Sequence, residues 1–503
     1  MREYKKIDWM ITFLPMFIIL LLGVLFFILP EQSNLLLKSI RFFIGDTLGT
    51  YYLLIGLGMF FSSMYFCLSK YGDVVLGEKN EKPQYSFFKW GSMMFTCGLA
   101  ADILFYSLSE WIMYAINPHI LELGSIQEWA SVFPLFHWGF IPWSFYLVLA
   151  VAFGFMLHVR KRKRQRFSEA CRLILGRQTD KILGRMVDLL AVFAVIAGTA
   201  TTFSVATPLM SIIIQTLFDV SLERTTLTIL IIFLTCGIYT YALVKGFKGI
   251  SVLAQMCIYM FLGVIFFVLF TGGESKYIME TGFESLGRMI QNFIILSTYT
   301  DPLRKTNFPQ DLTIYYWAYW MVWCVAAPFF IGSISKGRTI RQVIAGGYLF
   351  GVGSTLISFI VLGNYGLALQ TNGSADFITQ YTTHCDIYIT IVSILESLPY
   401  ANIFIMGILV TMILFYATSF DSIAYAVSCY SYRKLEMDEV PHKLIQLLWC
   451  ILLILLPISL VFSESSMSNI QTVSIIAAFP IGFIMIMIVI NFWQDINKYM
   501  DNI

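Results

Sequence analysis

The hydrophobic positions of this sequence are grouped into long apolar stretches that are separated by short polar segments. A helix needs about 20 mostly apolar residues to cross a bilayer, and twelve stretches meet that requirement. They lie at roughly 9–29, 50–69, 86–116, 136–159, 184–218, 225–244, 250–271, 313–334, 342–369, 398–430, 443–463 and 469–492. The pattern predicts an all-α integral membrane protein with twelve transmembrane helices.

Three of these spans are longer than the bilayer requires: the third (86–116), the fifth (184–218) and the tenth (398–430). We expect them to tilt, bend or break. The segment 272–312 is not a span and predicts an amphipathic outer helix, from Ile278 to Leu296, followed by a polar linker. The segment 370–397 is expected to form an ordered external loop.

The composition excludes most other classes of protein. Charged residues make up 13% of the chain and hydrophobic residues 58%, about half the charge that a soluble domain carries. The net charge of +2 gives no indication of nucleic-acid binding. The nine cysteines and five histidines show no metal or disulfide spacing. No metal cluster or nucleophile–base pair can be recognised, so neither an enzyme nor a cofactor is expected.

Basic residues orient the predicted bundle. If the N-terminus lies inside, 26 of the 33 Lys and Arg residues fall on the cytoplasmic side and 7 on the other. This asymmetry predicts a multi-pass protein of the cell membrane with both termini in the cytoplasm. The basic run at 160–166 is interpreted as a topology determinant near anionic lipid headgroups, with nucleic-acid binding as the weaker alternative.

Acidic residues inside a bilayer are costly and indicate function. Asp102 lies in the middle of the third span, and its Gly and Ala neighbours offer little as partners, which favours a functional role. Asp421 lies in the tenth span beside Ser and Thr residues that could satisfy it, so a structural role is equally compatible. Glu110, two turns beyond Asp102, is expected to brace the outer end of its helix.

Hydroxyl side chains cluster in the fifth and tenth spans. The clusters are Thr199, Thr201 and Thr202, and Thr418, Ser419 and Ser422. If spans 3–7 and 8–12 form two blocks, each cluster falls in the third helix of its block. Corresponding interruptions in two halves are the signature of an inverted-repeat carrier. Oxygen ligands suit Na⁺, as they do other hard cations, whereas hydrogen bonds back to the helix are the structural alternative.

Aromatic residues crowd the fourth and eighth spans. They are Trp138, Trp143 and Tyr146 on the fourth, and Trp317, Tyr319, Trp320 and Trp323 on the eighth. An interfacial belt is the simpler explanation, but Trp138 to Tyr146 covers about 12 Å of helix, which is deeper than a belt. Several aromatic faces around one cavity would hold a quaternary ammonium by cation–π attraction.

Four motifs in order resemble the betaine/choline/carnitine transporter family over about residues 85 to 490. They are Phe136-His-Trp-Gly139, the Thr-Asp-Pro…Phe-Pro-Gln linker at 300–310, the Tyr-Trp-Ala-Tyr-Trp run at 316–320, and Ile334-Ser-Lys-Gly-Arg338. The resemblance implies a LeuT-like core of two inverted five-helix repeats, a homotrimer, alternating access and quaternary-ammonium substrates.

The family pattern divides the chain into five parts. Residues 1–85 are two additional helices, 86–271 the first repeat, 272–312 the external linker helix, 313–492 the second repeat and 493–503 a short cytoplasmic tail.

The resemblance also implies site residues. The aromatic cage carried over by motif is Trp138, Trp143, Tyr146, Trp320 and Trp323, and Trp317, Tyr319 and Asp102 complete the candidate substrate residues. The candidate residues for ion coupling are Thr418, Ser419, Phe415, Thr199 and Asp102, with Thr418 and Ser419 as possible sodium ligands. Two departures are that Asp311-Leu312-Thr313 replaces a usual Gly-Trp-Thr, and that Tyr319 replaces a usual Trp.

The family couples transport to Na⁺, to H⁺ or to no ion. Ion-independent exchangers carry an Arg in the seventh helix, and the matching segment 251–255 has none, so carnitine/betaine exchange is the less favoured alternative. Asp102 replaces a glycine of the betaine-specific stretch and is similar to the acid of proton-using choline carriers. A carboxylate attracts choline but repels the carboxylate of betaine or carnitine. Because burial of an acid favours its neutral form, Asp102 is a candidate proton carrier, and Na⁺ stays open.

A membrane channel is a further alternative from a different class. Broken helices with paired hydroxyl clusters suit alternating access better than a continuous pore. Choline is therefore the favoured substrate of a cation-coupled carrier, with glycine betaine and carnitine left open.

Overall fold

The computed structural model describes residues 7–98, 101–162, 164–245, 247–433, 435, 440–462 and 467–502. Within these residues the chain is helical, and only two isolated bridges have extended pairing. Eight helices are long and apolar enough to cross a membrane, or ten if each of two bent pairs is one span. The all-α membrane architecture is confirmed, and the count of twelve stays a prediction.

The principal helices occupy the predicted spans, in several cases as more than one piece, and also segments between those spans. They are Trp9–Ile28, Pro30–Arg41, Thr50–Leu68, Phe87–Thr96, Ala101–Ala115, Phe140–Gly154, Ile182–Phe218, Arg224–Lys245, Phe247–Thr271, Ser275–Gln291, Ile314–Trp323, Ala327–Ile334, Ile340–Gly346, Asn364–Thr371, Phe377–His384, Ile387–Glu396, Ala401–Tyr430, Lys443–Phe462 and Met467–Met500.

The third and eighth spans are both broken near their middle. The third consists of Phe87–Thr96 and Ala101–Ala115, with residues 99 and 100 outside the description. The eighth bends by 53° between its two halves, and Pro328 lies in the first turn of the second half. Proline fits the start of a helix because its missing N–H has no partner there anyway. The two breaks lie in the first helix of each predicted five-helix block.

The predicted interruptions at the hydroxyl clusters are wrong. Ile182–Phe218 and Ala401–Tyr430 run as continuous helices through them. The hydroxyls bond back within the helix: Thr199 donates to the Val195 carbonyl at 2.8 Å and Thr418 to the Leu414 carbonyl at 3.0 Å. Such bonds satisfy a hydroxyl in a membrane helix without breaking it.

The segments outside the spans are more helical than expected. The predicted amphipathic helix is Ser275–Gln291, which turns by 112° from the preceding span and is followed by Phe293–Thr298. The segment 370–397 is not a simple loop, since it contains two helices, Phe377–His384 and Ile387–Glu396. Asp376 and Asp386 cap their N-termini by accepting backbone N–H bonds, as Asp commonly does.

The linker at 300–310 folds around Asp301. Its carboxylate accepts the backbone N–H groups of Lys305, Thr306 and Asn307 at 3.1, 2.8 and 2.9 Å. Although burial acts in the opposite direction, these donors hold the pKa of Asp301 below its usual range. Arg304 donates to Asp46 at 2.9 Å and so ties the linker to the segment Phe42–Thr47, which precedes the helix Thr50–Leu68.

Both described ends of the chain lie on one face of the bundle. The N–H of Asp8 donates to the carbonyl of Ser431 at 2.7 Å, and Asp495 pairs with Arg160 at 2.7 Å. Each of the five described basic residues in the run 160–166 forms an ion pair with a carboxylate. The pairs are Arg160–Asp495, Lys161–Glu78, Arg162–Glu169, Arg164–Asp180 and Arg166–Asp188.

The motif 334–338 packs on the same face. Arg338 lies over the ring of Trp90 at 4.2 Å, and the indole N–H of Trp90 donates to Ser335 at 3.1 Å. The backbone of Leu76 also exchanges hydrogen bonds with Gly337 and Arg338. These contacts join the first half of the third span, and the segment before it, to the end of the eighth span.

Candidate substrate site

Four of the predicted aromatic residues converge in the structure. The ring of Trp320 lies 5.5 Å from Trp138, 5.8 Å from Trp143 and 5.0 Å from Tyr146, measured between centroids. All four side chains are buried, with 0–5% of their surface exposed. We refer to them as the Trp320 ring group. Their spacing and their tilted or T-shaped orientations are those of packed aromatic rings.

Three further rings pack against Trp138. Tyr106, Phe359 and Tyr316 lie at 5.4, 5.2 and 6.1 Å from it. Sequence reasoning missed Tyr106 and Tyr316, although helical spacing could have found them. Tyr106 follows Asp102 by four residues and Tyr316 precedes Trp320 by four, so each shares a helix face with a predicted site residue.

Three predicted aromatic residues lie outside the ring group: Trp317, Trp323, and Tyr319, whose hydroxyl contacts Asp102. Trp317 packs against Phe136 at 5.3 Å and against the helix Thr50–Leu68, where a Cβ at Gly56 would lie 2.9 Å from its indole nitrogen. Trp323 is half-buried and packs against Gly198 of the fifth span. Trp317 is therefore part of the contact with the N-terminal helices.

Local backbone features position Trp138 and Trp143. Trp138 follows the short helix Val132–His137, and its carbonyl accepts a hydrogen bond from the hydroxyl of Thr355 at 2.8 Å. Trp143 is packed tightly against two glycines. A Cβ would lie 2.3 Å from its indole at Gly351 and 2.9 Å from it at Gly98, so both positions need glycine for this approach.

Asp102 finds its partners on two other helices. The hydroxyl of Tyr319 donates to Oδ2 of Asp102, and the hydroxyl of Thr202 donates to the same oxygen at 3.4 Å. The two hydroxyls are also 2.5 Å apart. The Gly and Ala neighbours of Asp102 in the sequence have no polar side chains to offer, and its side-chain partners come instead from the fifth and eighth spans. Among the described residues no Lys, Arg or His pairs with it.

Glu110 is a site residue that sequence reasoning assigned to a different role. It does not simply brace the end of its helix: its Oε1 accepts the indole N–H of Trp138 at 2.6 Å. Its Oε2 accepts the hydroxyl of Tyr114 at 3.3 Å, and the Glu110 side chain is fully buried. The sequence signal that could have identified Glu110 as a site residue is its position deep in a predicted span, because acidic residues inside a membrane usually have a function.

The candidate ion residues lie on the fifth and tenth helices, which face each other through stacked Phe203 and Phe420 at 4.2 Å. Thr418 donates to the carbonyls of Leu414 and Phe415 and lies 3.6 Å from the sulfur of Cys257. A donating hydroxyl keeps lone pairs that can bind a cation. Ser419 is half-buried beside it, and the side chain of Asp421 lies outside the described residues.

Two members of the Trp320 ring group have an indole N–H without a hydrogen-bond partner in the described part of the chain. They are Nε1 of Trp143 and Nε1 of Trp320. Buried polar groups are normally satisfied, so unpaired donors within a ring group suit a ligand that carries an oxygen acceptor. The site thus combines aromatic faces, a carboxylate and free donors, which suits a small organic cation with an oxygen atom.

Comparison with known proteins agrees with this chemistry. The chain is 27% identical to a carnitine transporter of Acinetobacter baumannii, covering 84% of this chain and 76% of that protein. It is 27% identical to an uncharacterized transporter of Escherichia coli K12, covering 85% and 88%. It is 26% identical to the high-affinity choline transport protein of the same strain, covering 99% and 73%. Residues 10–501 match the family described as BCCT, betaine/carnitine/choline family transporter, and the chain is therefore a multi-pass membrane transporter of that family, not an enzyme.

Proposed function

We propose that this protein takes up a quaternary ammonium compound by cation-coupled alternating access, with choline favoured over glycine betaine and carnitine. The observation that carries the choice of choline is Asp102, a buried carboxylate that accepts hydrogen bonds from Thr202 and from Tyr319, the residue before Trp320. Aromatic faces attract a quaternary ammonium. A nearby carboxylate adds attraction for the net charge of choline and repels the carboxylate of betaine or carnitine.

The relatives are named for both choline and carnitine transport, and so they support the substrate class and not an order of substrates within it. The Escherichia coli protein named for choline transport aligns with 99% of this chain, and the protein named for carnitine transport with 84%. An ion-independent exchanger is the second candidate. The segment 251–255, Ser-Val-Leu-Ala-Gln, contains no Arg that could replace a coupling cation, which disfavours exchange.

Two coupling ions are compatible with the site. Na⁺ would be held by Thr418, Ser419 and the carbonyl of Phe415, with Thr199 on the facing helix, because hard cations prefer oxygen ligands. A proton would be carried by Asp102, whose partners are hydroxyl groups and not a basic side chain. The two alternatives predict different responses to imposed gradients.

The proposal also covers the cellular location of the protein and its oligomeric state. The excess of basic residues on one side favours both termini in the cytoplasm of the cell membrane, and the contacts of Asp8 and Asp495 with one face are compatible with it. A homotrimer follows from the family resemblance.

Uptake by reconstituted vesicles tests the proposal. Radiolabelled choline and glycine betaine would be compared under separately imposed Na⁺ and pH gradients, with transport normalised to inserted protein. Asp102→Gly should reduce choline uptake and preserve or improve betaine uptake. If Asp102 carries the proton, Asp102→Asn should abolish the response to the pH gradient without opening space. Parallel loss of both substrates at normal insertion would contradict the choline assignment and favour betaine or carnitine.

A further inference from the structure

Trp138 lies at a break in the fourth span, where its carbonyl lacks the usual helical donor. The short helix Val132–His137 ends just before it, and the helix Phe140–Gly154 begins two residues after it. In an α-helix a carbonyl accepts from the N–H four residues later. That residue is Pro142, which has no N–H to donate. Because a buried carbonyl without a donor is costly, this carbonyl depends on a partner from outside its own helix.

Thr355 of the ninth span supplies that partner. Its hydroxyl lies 2.8 Å from the carbonyl of Trp138 and 3.0 Å from the carbonyl of Val352 in its own helix. A hydroxyl has one proton to donate, and the shorter distance assigns it to Trp138. Thr355 is fully buried and Trp138 is 5% exposed, so loss of this hydroxyl would leave the carbonyl without a donor from bulk water.

The ninth span packs along the fourth span in steps of four residues. The contacts are Gly347–Leu147, Gly351–Trp143, Thr355–Trp138 and Phe359–Trp138. At the two glycines a Cβ would lie 2.0 and 2.3 Å from the facing side chain, so the two helices approach each other closely there. The ninth span therefore packs directly behind two members of the Trp320 ring group.

Two π-helical turns keep this row of contacts on one face of the ninth span. Four residues overshoot one turn of an α-helix by about 40°, so a row spaced by fours would drift by about 120° over three steps. The segments Gly347–Val352 and Phe359–Gly363 are π-helical, and their wider turns offset this drift. Thr355 lies between them, in Gly353–Ser358. The irregular backbone of the ninth span thus brings the hydroxyl of Thr355 to the carbonyl of Trp138.

We propose that Thr355 is a positioning residue for the substrate cation, because it fixes the backbone of Trp138 and thereby orients the face of its indole within the ring group. The indole of Trp138 lies 5.5 Å from the ring of Trp320 and at 70° to it. Cation–π attraction requires the cation to lie over the face of the ring, so a shift of the Trp138 backbone weakens it. The inference rests on the proposed function, since it assumes that Trp138 contacts a quaternary ammonium. It requires no charge on either buried acid of the third span.

Binding of trimethylammonium compounds to two Thr355 variants tests the proposal. Thr355→Val keeps the shape of the side chain and removes the hydroxyl, whereas Thr355→Ser keeps the hydroxyl. Affinities for choline, glycine betaine and carnitine would be measured on purified full-length protein in lipid nanodiscs, and the compound that binds most tightly is the probe. We expect Thr355→Val to weaken binding of the probe about fivefold to tenfold, which approaches the loss of one desolvated cation–π contact. Thr355→Ser should stay within about twofold of the unsubstituted protein.

The Trp138→Ala background separates positioning of the ring from a general effect on packing. Trp138→Ala removes the ring and keeps the backbone carbonyl. In that background Thr355→Val should change the affinity for the probe less than about twofold, because no ring is left to orient. If Thr355→Val does not insert normally, Thr355→Ala takes its place in the same comparison.

Thr390→Val is the matched control for loss of a buried threonine hydroxyl. Thr390 is fully buried, and its hydroxyl donates within its own segment, to the carbonyl of Asp386 at 3.1 Å. Thr390→Val should leave the affinity for the probe unchanged. Equal weakening in Thr390→Val and Thr355→Val would overturn the specific role of Thr355.

The remaining outcomes distinguish the inference from the proposed function. Unchanged affinity in Thr355→Val, or the same fold-change with and without the ring of Trp138, would overturn the role of Thr355 and leave the proposed function intact. Weakening of Thr355→Ser to the level of Thr355→Val would show that side-chain volume matters and not the hydroxyl, and would also overturn that role. Absence of choline, betaine and carnitine binding in the unsubstituted protein would overturn the proposed function and the inference together.

Discussion

The hydroxyl of Tyr319 donates a hydrogen bond to the carboxylate of Asp102, so two departures from the family pattern are in direct contact. Asp102 stands where the betaine-specific stretch has glycine, and Tyr319 where a Trp is usual. An acid inside a membrane bundle needs donors, and Tyr319 supplies one from the eighth span. We interpret the two positions as one functional unit, with Thr202 as its third member.

This coupling can be measured with a double-mutant cycle. Tyr319→Phe removes one donor to Asp102 and should weaken the apparent affinity for choline roughly fivefold or more, since an unsatisfied buried group costs about 1–3 kcal/mol. In the Asp102→Gly background the same change should have little effect, because the acceptor is gone. Equal fold-changes in both backgrounds would show that Tyr319 acts independently of Asp102.

The ring group makes a separate prediction about affinity. Trp320→Ala and Trp138→Ala should each weaken binding of a quaternary ammonium roughly tenfold or more, since a desolvated cation–π contact contributes up to about 2 kcal/mol. The Phe variants should retain part of the affinity. Trp317→Phe is the matched control, because Trp317 packs toward Gly56 and not toward Trp320. Unchanged affinity in Trp320→Ala would contradict the substrate class.

Sequence patterns predicted the all-α membrane architecture because long apolar stretches are a local property of the chain, while the count of twelve spans stays a prediction. The converging group of Trp138, Trp143, Tyr146 and Trp320 was identified by depth and motif alone. Contacts between helices were beyond that method: nothing near Asp102 in the sequence indicates Tyr319 or Thr202, which are 217 and 100 residues away. The role of Glu110 was missed for the same reason, since Trp138 reaches it from another span.

The positions of the helix breaks show a second limit of prediction from the sequence. Hydroxyl clusters suggested breaks in the fifth and tenth spans, but a Thr can bond to its own helix and leave it intact, as Thr199 and Thr418 do. The observed break in the eighth span lies before Pro328, a signal that was present in the sequence.

The sodium alternative predicts a specific change in Thr418→Ala. Loss of a hydroxyl ligand should raise the Na⁺ concentration for half-maximal uptake, with little change in substrate affinity at saturating Na⁺. Thr411→Ala is the matched control, since Thr411 also bonds back to its own helix, to Gly407 at 2.7 Å. Uptake that does not depend on the Na⁺ concentration would show that Thr418 serves only in helix packing.

The buried contacts of Arg166 predict a large effect on stability. Arg166 pairs with Asp188 at 3.1 Å and donates to the carbonyl of Tyr430 at 2.7 Å. Arg166→Met leaves Asp188 buried without its cation, which costs roughly 3–5 kcal/mol, so the thermal unfolding temperature in detergent should fall. Adding Asp188→Leu should restore part of the loss. The exposed Arg177→Met is the control, and an equal fall there would contradict a specific role for Arg166.

The environment of His119 predicts how stability responds to acid. His119 lies outside the spans, stacked on Tyr299 at 4.3 Å. Burial lowers the pKa of His119, although Glu122 and Asp301 act in the opposite direction. A histidine whose pKa is lower in the folded state binds its proton more readily when unfolded. Its contribution to stability is therefore complete above about pH 6.5 and is lost as the pH falls below that value.

Thermal unfolding measured from about pH 7.5 to about pH 5 checks this sign, because only histidine has an ordinary pKa within that range. His119→Gln should reduce the loss of stability on acidification, since glutamine cannot take up the proton. His384→Gln is the control for loss of a histidine, because His384 is exposed. If the unsubstituted protein becomes more stable as the pH falls, and His119→Gln removes that gain, then the attraction of Glu122 and Asp301 outweighs burial and the predicted direction is wrong.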